Sequence, residues 1–148
     1  MTSVTDIADV LIITGNEKWA ESAERLLTRN LYTATVASNC DQVISELEKT
    51  WYHIILIDLD SIDVSETYLA KKIREMEPDI PIIGLGRHGR GACPDVTYLE
   101  KPLSSEIIKK HFPVFVAAKE ARTGRRALYG FALALCVGII LWIIIFLK

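Results

Sequence analysis

Apolar and polar positions change period along the chain, and each change marks an element. Residues 9–13 (DVLII) form a continuous apolar run that stops at Gly15, which predicts a strand buried on both faces. Residues 17–30 carry Trp19, Ala23, Leu26 and Leu27 at helical spacing, and 33–37 return to β-branched and small residues. Asp41 is placed to cap a second helix over 42–50, with Val43, Ile44 and Leu47 on its apolar face. The run HIILI at 53–57 is the most apolar strand and predicts the centre of the sheet. A third helix over 65–77 is closed by Pro78, strands follow at 80–85 and 96–99, and a last helix begins after Pro102. Pro113 predicts a kinked or two-part form for that helix, with Gly124 as a hinge further on.

This alternation of strand and helix implies an α/β domain, a doubly wound five-stranded parallel sheet with helices on both faces. In such sheets chemistry gathers at the C-terminal strand ends. Those ends carry Thr14, Gly15 and Asn16, then Asp58, Gly86 and Lys101.

The pattern changes again near the C-terminus. Residues 127–147 contain no charged side chain, and about 20 apolar residues suffice to cross a bilayer. The Leu, Ile, Val and Phe residues of 131–147 favour insertion by about 4 to 7 kcal/mol. Lys119, Arg122, Arg125 and Arg126 precede the run and only Lys148 follows it, and such an excess of basic residues marks the cytoplasmic side. No leader of basic then apolar residues opens the chain. The sequence therefore predicts a tail-anchored, single-pass protein of the cytoplasmic (inner) membrane. Its parts are a cytoplasmic domain over 1–112, a basic juxtamembrane linker over 113–126 and a transmembrane helix over 127–147. Gly130, Ala134 and Gly138 fall on one face of that helix, a spacing that permits close packing and predicts a homodimer or docking on a partner helix.

Charge divides in the same way. Residues 1–118 hold 12 Lys and Arg against 18 Asp and Glu, a net of −6, whereas 119–126 have four basic residues and Glu120, a net of +3. An acidic domain argues against nucleic-acid binding. The basic stretch suits anionic lipid headgroups. Cys40, Cys93 and Cys136 form no CxxC pattern, and His53, His88 and His111 stand at no ligand spacing with them, so neither a zinc site nor a disulfide framework is predicted.

Two motifs carry a family resemblance. HIILIDLD at 53–60 and YLEKPLS at 98–104, in that order and on those strand ends, resemble the receiver domains of bacterial two-component response regulators. The resemblance spans about residues 10–112 and implies a flavodoxin-like fold. It implies that Asp58 stands where a receiver accepts a phosphoryl group from a histidine kinase. Lys101, followed by Pro102, matches the lysine that contacts the phosphate, and Tyr98 matches the aromatic switch residue.

The departures from that pattern change the expected function. Receivers hold Mg²⁺ with an acidic pair after the first strand, where this chain has Thr14 and Gly15. Mg²⁺ wants carboxylate oxygens, and phosphoryl transfer needs the metal to neutralise developing charge. Glu17, Asp60 and Asp63 do not sit at the expected positions. Gly86 replaces the usual Ser or Thr of the fourth strand. Only fourteen residues separate it from Lys101, and their glycines and Pro94 predict a degenerate fourth helix. Thr14, Gly15, Gly86 and Lys101 thus read as a vestigial phosphate pocket, with Asp58 and Lys101 as an inherited ion pair and no cofactor or catalysis expected. The GxGxxG match at 84–89 lacks the helix a dinucleotide fingerprint needs, and Arg87, His88 and Arg90 make a basic loop.

The sequence therefore predicts a membrane-anchored pseudo-receiver that acts by binding a protein partner at the cytoplasmic membrane face, a membrane complex or a histidine-kinase pathway component. A working phosphorelay receiver phosphorylated on Asp58 and an accessory subunit of a larger membrane complex stand as alternatives.

Overall fold

The computed structural model describes residues 8–86 and 93–146. Five strands are found there, β1 (Ala8–Ile13), β2 (Tyr32–Ala37), β3 (Ile54–Asp58), β4 (Ile82–Leu85) and β5 (Val96–Leu99). All pair in parallel, in the order β2-β1-β3-β4-β5, so the most apolar strand is central. Helices α1 (Glu17–Arg29), α2 (Cys40–Lys49), α3 (Glu66–Met76) and α4 (Ser105–Phe146) complete the elements.

The pleat divides the apolar residues between two cores. Leu11, Ile13, Ile55 and Ile57 face α2 and α3, meeting Val43, Leu47, Leu69 and Ile73. Val10, Ile12, Ile54 and Leu56 face the other way, meeting Ala23 and Leu27 of α1 and Ile108 and Phe112 of α4. Every residue of β3 is buried, which explains its near-continuous run of Ile and Leu.

Local chemistry sets the helix ends. Asn16 caps α1 by accepting from the Trp19 N–H at 3.1 Å. Asn39, not Asp41, caps α2 and accepts from Gln42 N–H at 2.9 Å, while Gln42 reaches back to Ser38 N–H at 2.7 Å. That reciprocal pair starts the helix ahead of the predicted cap. Among the described residues no helix lies between β4 and β5, and the basic loop of Arg87, His88 and Arg90 lies outside them.

The C-terminal segment corrects the sequence reading. α4 runs unbroken for 42 residues through Pro113 and Gly124, rather than in two parts. Pro113 and Val114 are exposed, where water can serve the carbonyl left without its N–H donor. No helix of the described residues is long and apolar enough to cross a membrane. The predicted transmembrane helix, and the single-pass location in the cytoplasmic membrane that rested on it, are overturned. Gly130 and Ala134 lie on this helix with nothing within 4 Å of a Cβ added at Gly130, and the surroundings of Gly138 lie outside the described residues. Lys119, counted by the sequence among basic residues facing headgroups, is buried.

One backbone feature is open to a direct test. Leu31, between α1 and β2, has φ 66° and is exposed. A left-handed conformation costs an L-residue roughly 1–2 kcal/mol that glycine avoids, less glycine's own entropy. Leu31→Gly is therefore expected to raise stability by about 0.5–1 kcal/mol. Urea unfolding reads this as a higher midpoint at constant slope, and a lower midpoint contradicts it.

Candidate functional site

The site is built around one buried carboxylate. Asp58 ends β3 and is 1 % exposed. Its Oδ1 accepts from the Lys101 ammonium, which arrives just past β5, and from Asp60 N–H at 3.3 Å. Its Oδ2 accepts from Thr14 Oγ1 at 2.9 Å and Ser61 Oγ at 2.7 Å. Each hydroxyl is aimed by a backbone donor on its other side. Asn16 N–H donates to Thr14 Oγ1 at 3.1 Å, and Gly15 N–H donates to Ser61 Oγ at 3.1 Å. Each hydroxyl thus accepts one backbone N–H and has a single proton to donate. The two oxygens lie 2.8 Å apart, close enough to share one of those protons.

Lys101 completes the charge balance. It bonds Asp58 and also meets Asp60 Oδ2 at 3.0 Å, while its ammonium lies 5.4 Å from the centre of the Trp19 ring. Burial alone pulls its pKa down, but the hydrogen bonds and charges of Asp58 and Asp60 outweigh that and hold it above its ordinary 10.5. The Lys101–Pro102 peptide bond is cis.

Three residues following Asp58 fill the space around it, and glycines make room for them. A Cβ on Gly15 would stand 2.7 Å from the Ser61 carbonyl oxygen. A Cβ on Gly86 would meet the Asp60 carboxylate at 2.9 to 3.0 Å, and Gly86 has φ +129°, which L side chains rarely adopt. Gly84 is likewise covered by the Leu59 side chain. The two positions where a receiver carries an acid and a hydroxyl are therefore occupied by the chain's own β3–α3 loop.

Thr14, Gly15, Gly86, Lys101 and Asp58 thus lie together at the C-terminal strand ends. Tyr98 is placed differently engaged: its hydroxyl donates to Glu66 Oε1 at 2.7 Å, at the start of α3, and accepts from Cys93 N–H at 2.9 Å. Burial and the Glu66 carboxylate together raise the Tyr98 pKa. The three cysteines are free, with Cys93 buried and Cys136 exposed. Ser61 was missed. Its signal was its place three residues after Asp58, indistinguishable in sequence from an ordinary loop serine. Trp19 was assigned to the core face of α1, and its second role under the Lys101 ammonium has no sequence signature.

A receiver-type pocket implies Mg²⁺, and the donor set here does not fit it. Both Asp58 oxygens are already bonded, Asp60 is committed to Lys101, and Glu17 and Asp63 are exposed. Among the described residues no group of three or more His, Cys, Asp or Glu side chains is placed to hold a metal ion. Lys101 supplies a single positive charge where a divalent ion would supply two.

No family model matches the sequence, and comparison with curated proteins finds no match. Solved structures do match. A structure of adenylate cyclase from Rhodopirellula baltica superposes with a TM-score of 0.72 at 15% identity, over 82% of this chain and 96% of that one. The signal receiver domain of an HD domain-containing protein from Pseudomonas fluorescens Pf-5 gives 0.71 at 16%, over 84% and 98%. A CheY-like receiver domain from Methylobacillus flagellatus gives 0.67 at 23%, over 74% and 99%. The fold is that of a response-regulator receiver domain. At these identities the receiver likeness establishes architecture, and the chemistry of the site rests on the residues described above.

The ion pair carries a stability prediction. Lys101→Met leaves Asp58 buried without its cation, and breaking such a pair costs on the order of 3 kcal/mol. Because the folded pKa of Lys101 is raised, the stabilisation is whole below 10.5 and is lost as pH rises through the higher folded value. Urea unfolding across the alkaline range is expected to show wild type and variant converging only above about pH 10.5. Convergence already near neutral pH contradicts the pairing.

Proposed function

We propose that this chain is a receiver-fold interaction module of the two-component type that binds a partner protein and neither accepts a phosphoryl group by the Mg²⁺-dependent route nor catalyses a reaction. The observation that carries the reading is the saturation of Asp58. Lys101 and two aimed hydroxyls satisfy its carboxylate, and residues 59–61 pack close against Gly15, Gly84 and Gly86 beside it. Entry of Mg²⁺ requires the Lys101 ammonium to leave both Asp58 and Asp60 and the two hydroxyls to release the carboxylate.

Binding has a candidate surface beside the pocket. Leu59, Ile62, Asp63, Val64, Ser65 and Glu66 line an open cleft of about 310 Å³ at the start of α3. Glu66 in that cleft is the residue Tyr98 holds, so a partner seated there touches the position that the receiver resemblance gives to the switch aromatic. A component of a histidine-kinase pathway is the partner class this reading favours, with a subunit of a larger complex as the alternative that co-purification would identify.

A second reading is favoured by one observation, that Asp58 and Lys101 stand side by side at the strand ends as in a phosphorelay receiver. Incubation with a small-molecule phosphodonor and millimolar Mg²⁺ separates the two. Intact-mass analysis is expected to find no phosphoryl adduct. An adduct that vanishes in Asp58→Asn overturns the proposal and establishes the second reading.

A further inference from the structure

The opposite end of the sheet holds a charged group that neither reading uses. α4 lies on the second core with Ile108 and Phe112 buried and Phe115 and Val116 half-buried. Lys119 is 2 % exposed, and every described residue after it is exposed. The long helix therefore leaves the domain at one residue, and that residue is a buried ammonium.

Its surroundings come from three elements. Lys119 Nζ meets Glu77 Oε2 at 2.9 Å and lies 5.3 Å from the centre of the Trp51 ring. Glu77 ends α3 and donates its own N–H to Ile73 O at 2.7 Å. Trp51 stands edge-on to His53 at 4.3 Å, and His53 Nδ1 accepts from Asp9 N–H in β1 at 3.0 Å. The cluster thus ties α4 to the end of α3 and to the N-terminal edges of β3 and β1.

Burying an ammonium is costly unless it is paired. Lys119 is compensated by the Glu77 carboxylate, the face of Trp51 and the carbonyl-rich end of α3. A leucine would cover the same surface at less cost. The ionic contact differs in being conditional, because loss of the half-exposed Glu77 carboxylate leaves the Lys119 ammonium buried and unpaired. Upstream of it the helix is weakened at Pro113, so undocking has a natural boundary near Phe112.

We propose that the Lys119–Glu77 pair seated on Trp51 is a latch that fixes where α4 parts from the domain, and that opening it undocks the helix back toward Phe112 and changes how the exposed segment is presented. The latch lies at the end of the sheet away from Asp58 and stands whether or not that pocket is phosphorylated.

Hydrogen exchange on the full chain tests it. Glu77→Gln removes the carboxylate and leaves the buried Lys119 ammonium unpaired. Exchange across 113–123 is expected to rise by about tenfold or more, with β1 and β3 within about twofold of wild type. Adding Lys119→Met to that variant removes the buried charge and is expected to restore protection, and Lys119→Arg alone is expected to keep it. Wild-type protection of the helix in Glu77→Gln overturns the latch. So does an increase spread equally over β1 and β3, which makes the pair a contributor to global stability only. Should Glu77→Gln fail to fold, Glu77→Asp, whose shorter side chain loosens the contact, gives the same decision.

Discussion

A carboxylate buried at the end of a parallel sheet has to be neutralised, and the way Asp58 is neutralised organises the site. Lys101 reaches it from beyond β5, Thr14 from the end of β1 and Ser61 from the loop that follows β3. Strands β1 and β5 do not touch one another in the sheet order, so this cluster joins elements that backbone pairing leaves apart. Desolvating the charge costs several kcal/mol, and the cost is recovered only while all of these donors hold their positions. The backbone donors Asn16 N–H and Gly15 N–H do that holding for the two hydroxyls.

The same contacts decide what the pocket can admit. The Ser61 carbonyl lies over Gly15 and the Asp60 carboxylate over Gly86, so a larger residue needs the loop backbone to shift at the first position and the Asp60 side chain to move at the second. Restoring an acid or a hydroxyl there is therefore not a matter of adding one functional group to an otherwise receptive site. The positive φ of Gly86 adds a backbone reason to the steric one. The glycines and the inward-folded loop make a matched set, which is why the pocket is read as closed rather than as one that merely lacks ligands.

Much of this was legible in the sequence. Continuous apolar runs at β1 and β3 reported burial on both faces, and the strand ends carrying Thr14, Gly15, Asp58 and Lys101 did converge. What escaped was set by tertiary geometry. Asn39 rather than Asp41 caps α2, because a Gln42 side chain three residues on completes the exchange. Ser61 reads as an ordinary loop residue until Thr14 and Gly15 are seen beside it. Lys119 reads as one more basic residue in a flank, yet Trp51 and Glu77 enclose it. Apolar composition over 127–147 predicts a membrane span, whereas no helix of the described residues is long and apolar enough to cross. Periodicity reports the faces of elements well and side-chain pairing between distant segments poorly.

Two charged clusters lie beyond the two ends of the central strand, and they differ in what they hold. The Lys119 cluster joins a helix to the sheet, whereas the Asp58 cluster joins the segments that follow β1, β3 and β5. The proposed closure of the Asp58 pocket is most directly tested on the carboxylate itself. In a sample with carbon-13 at aspartate side-chain carboxyls, the Asp58 resonance can be followed as Mg²⁺ is added at neutral pH. A carboxylate saturated by Lys101, Thr14 and Ser61 predicts a resonance that does not move as the metal reaches millimolar levels. A saturable shift of Asp58, absent from exposed aspartates such as Asp63, would contradict a closed pocket and return the site to metal binding.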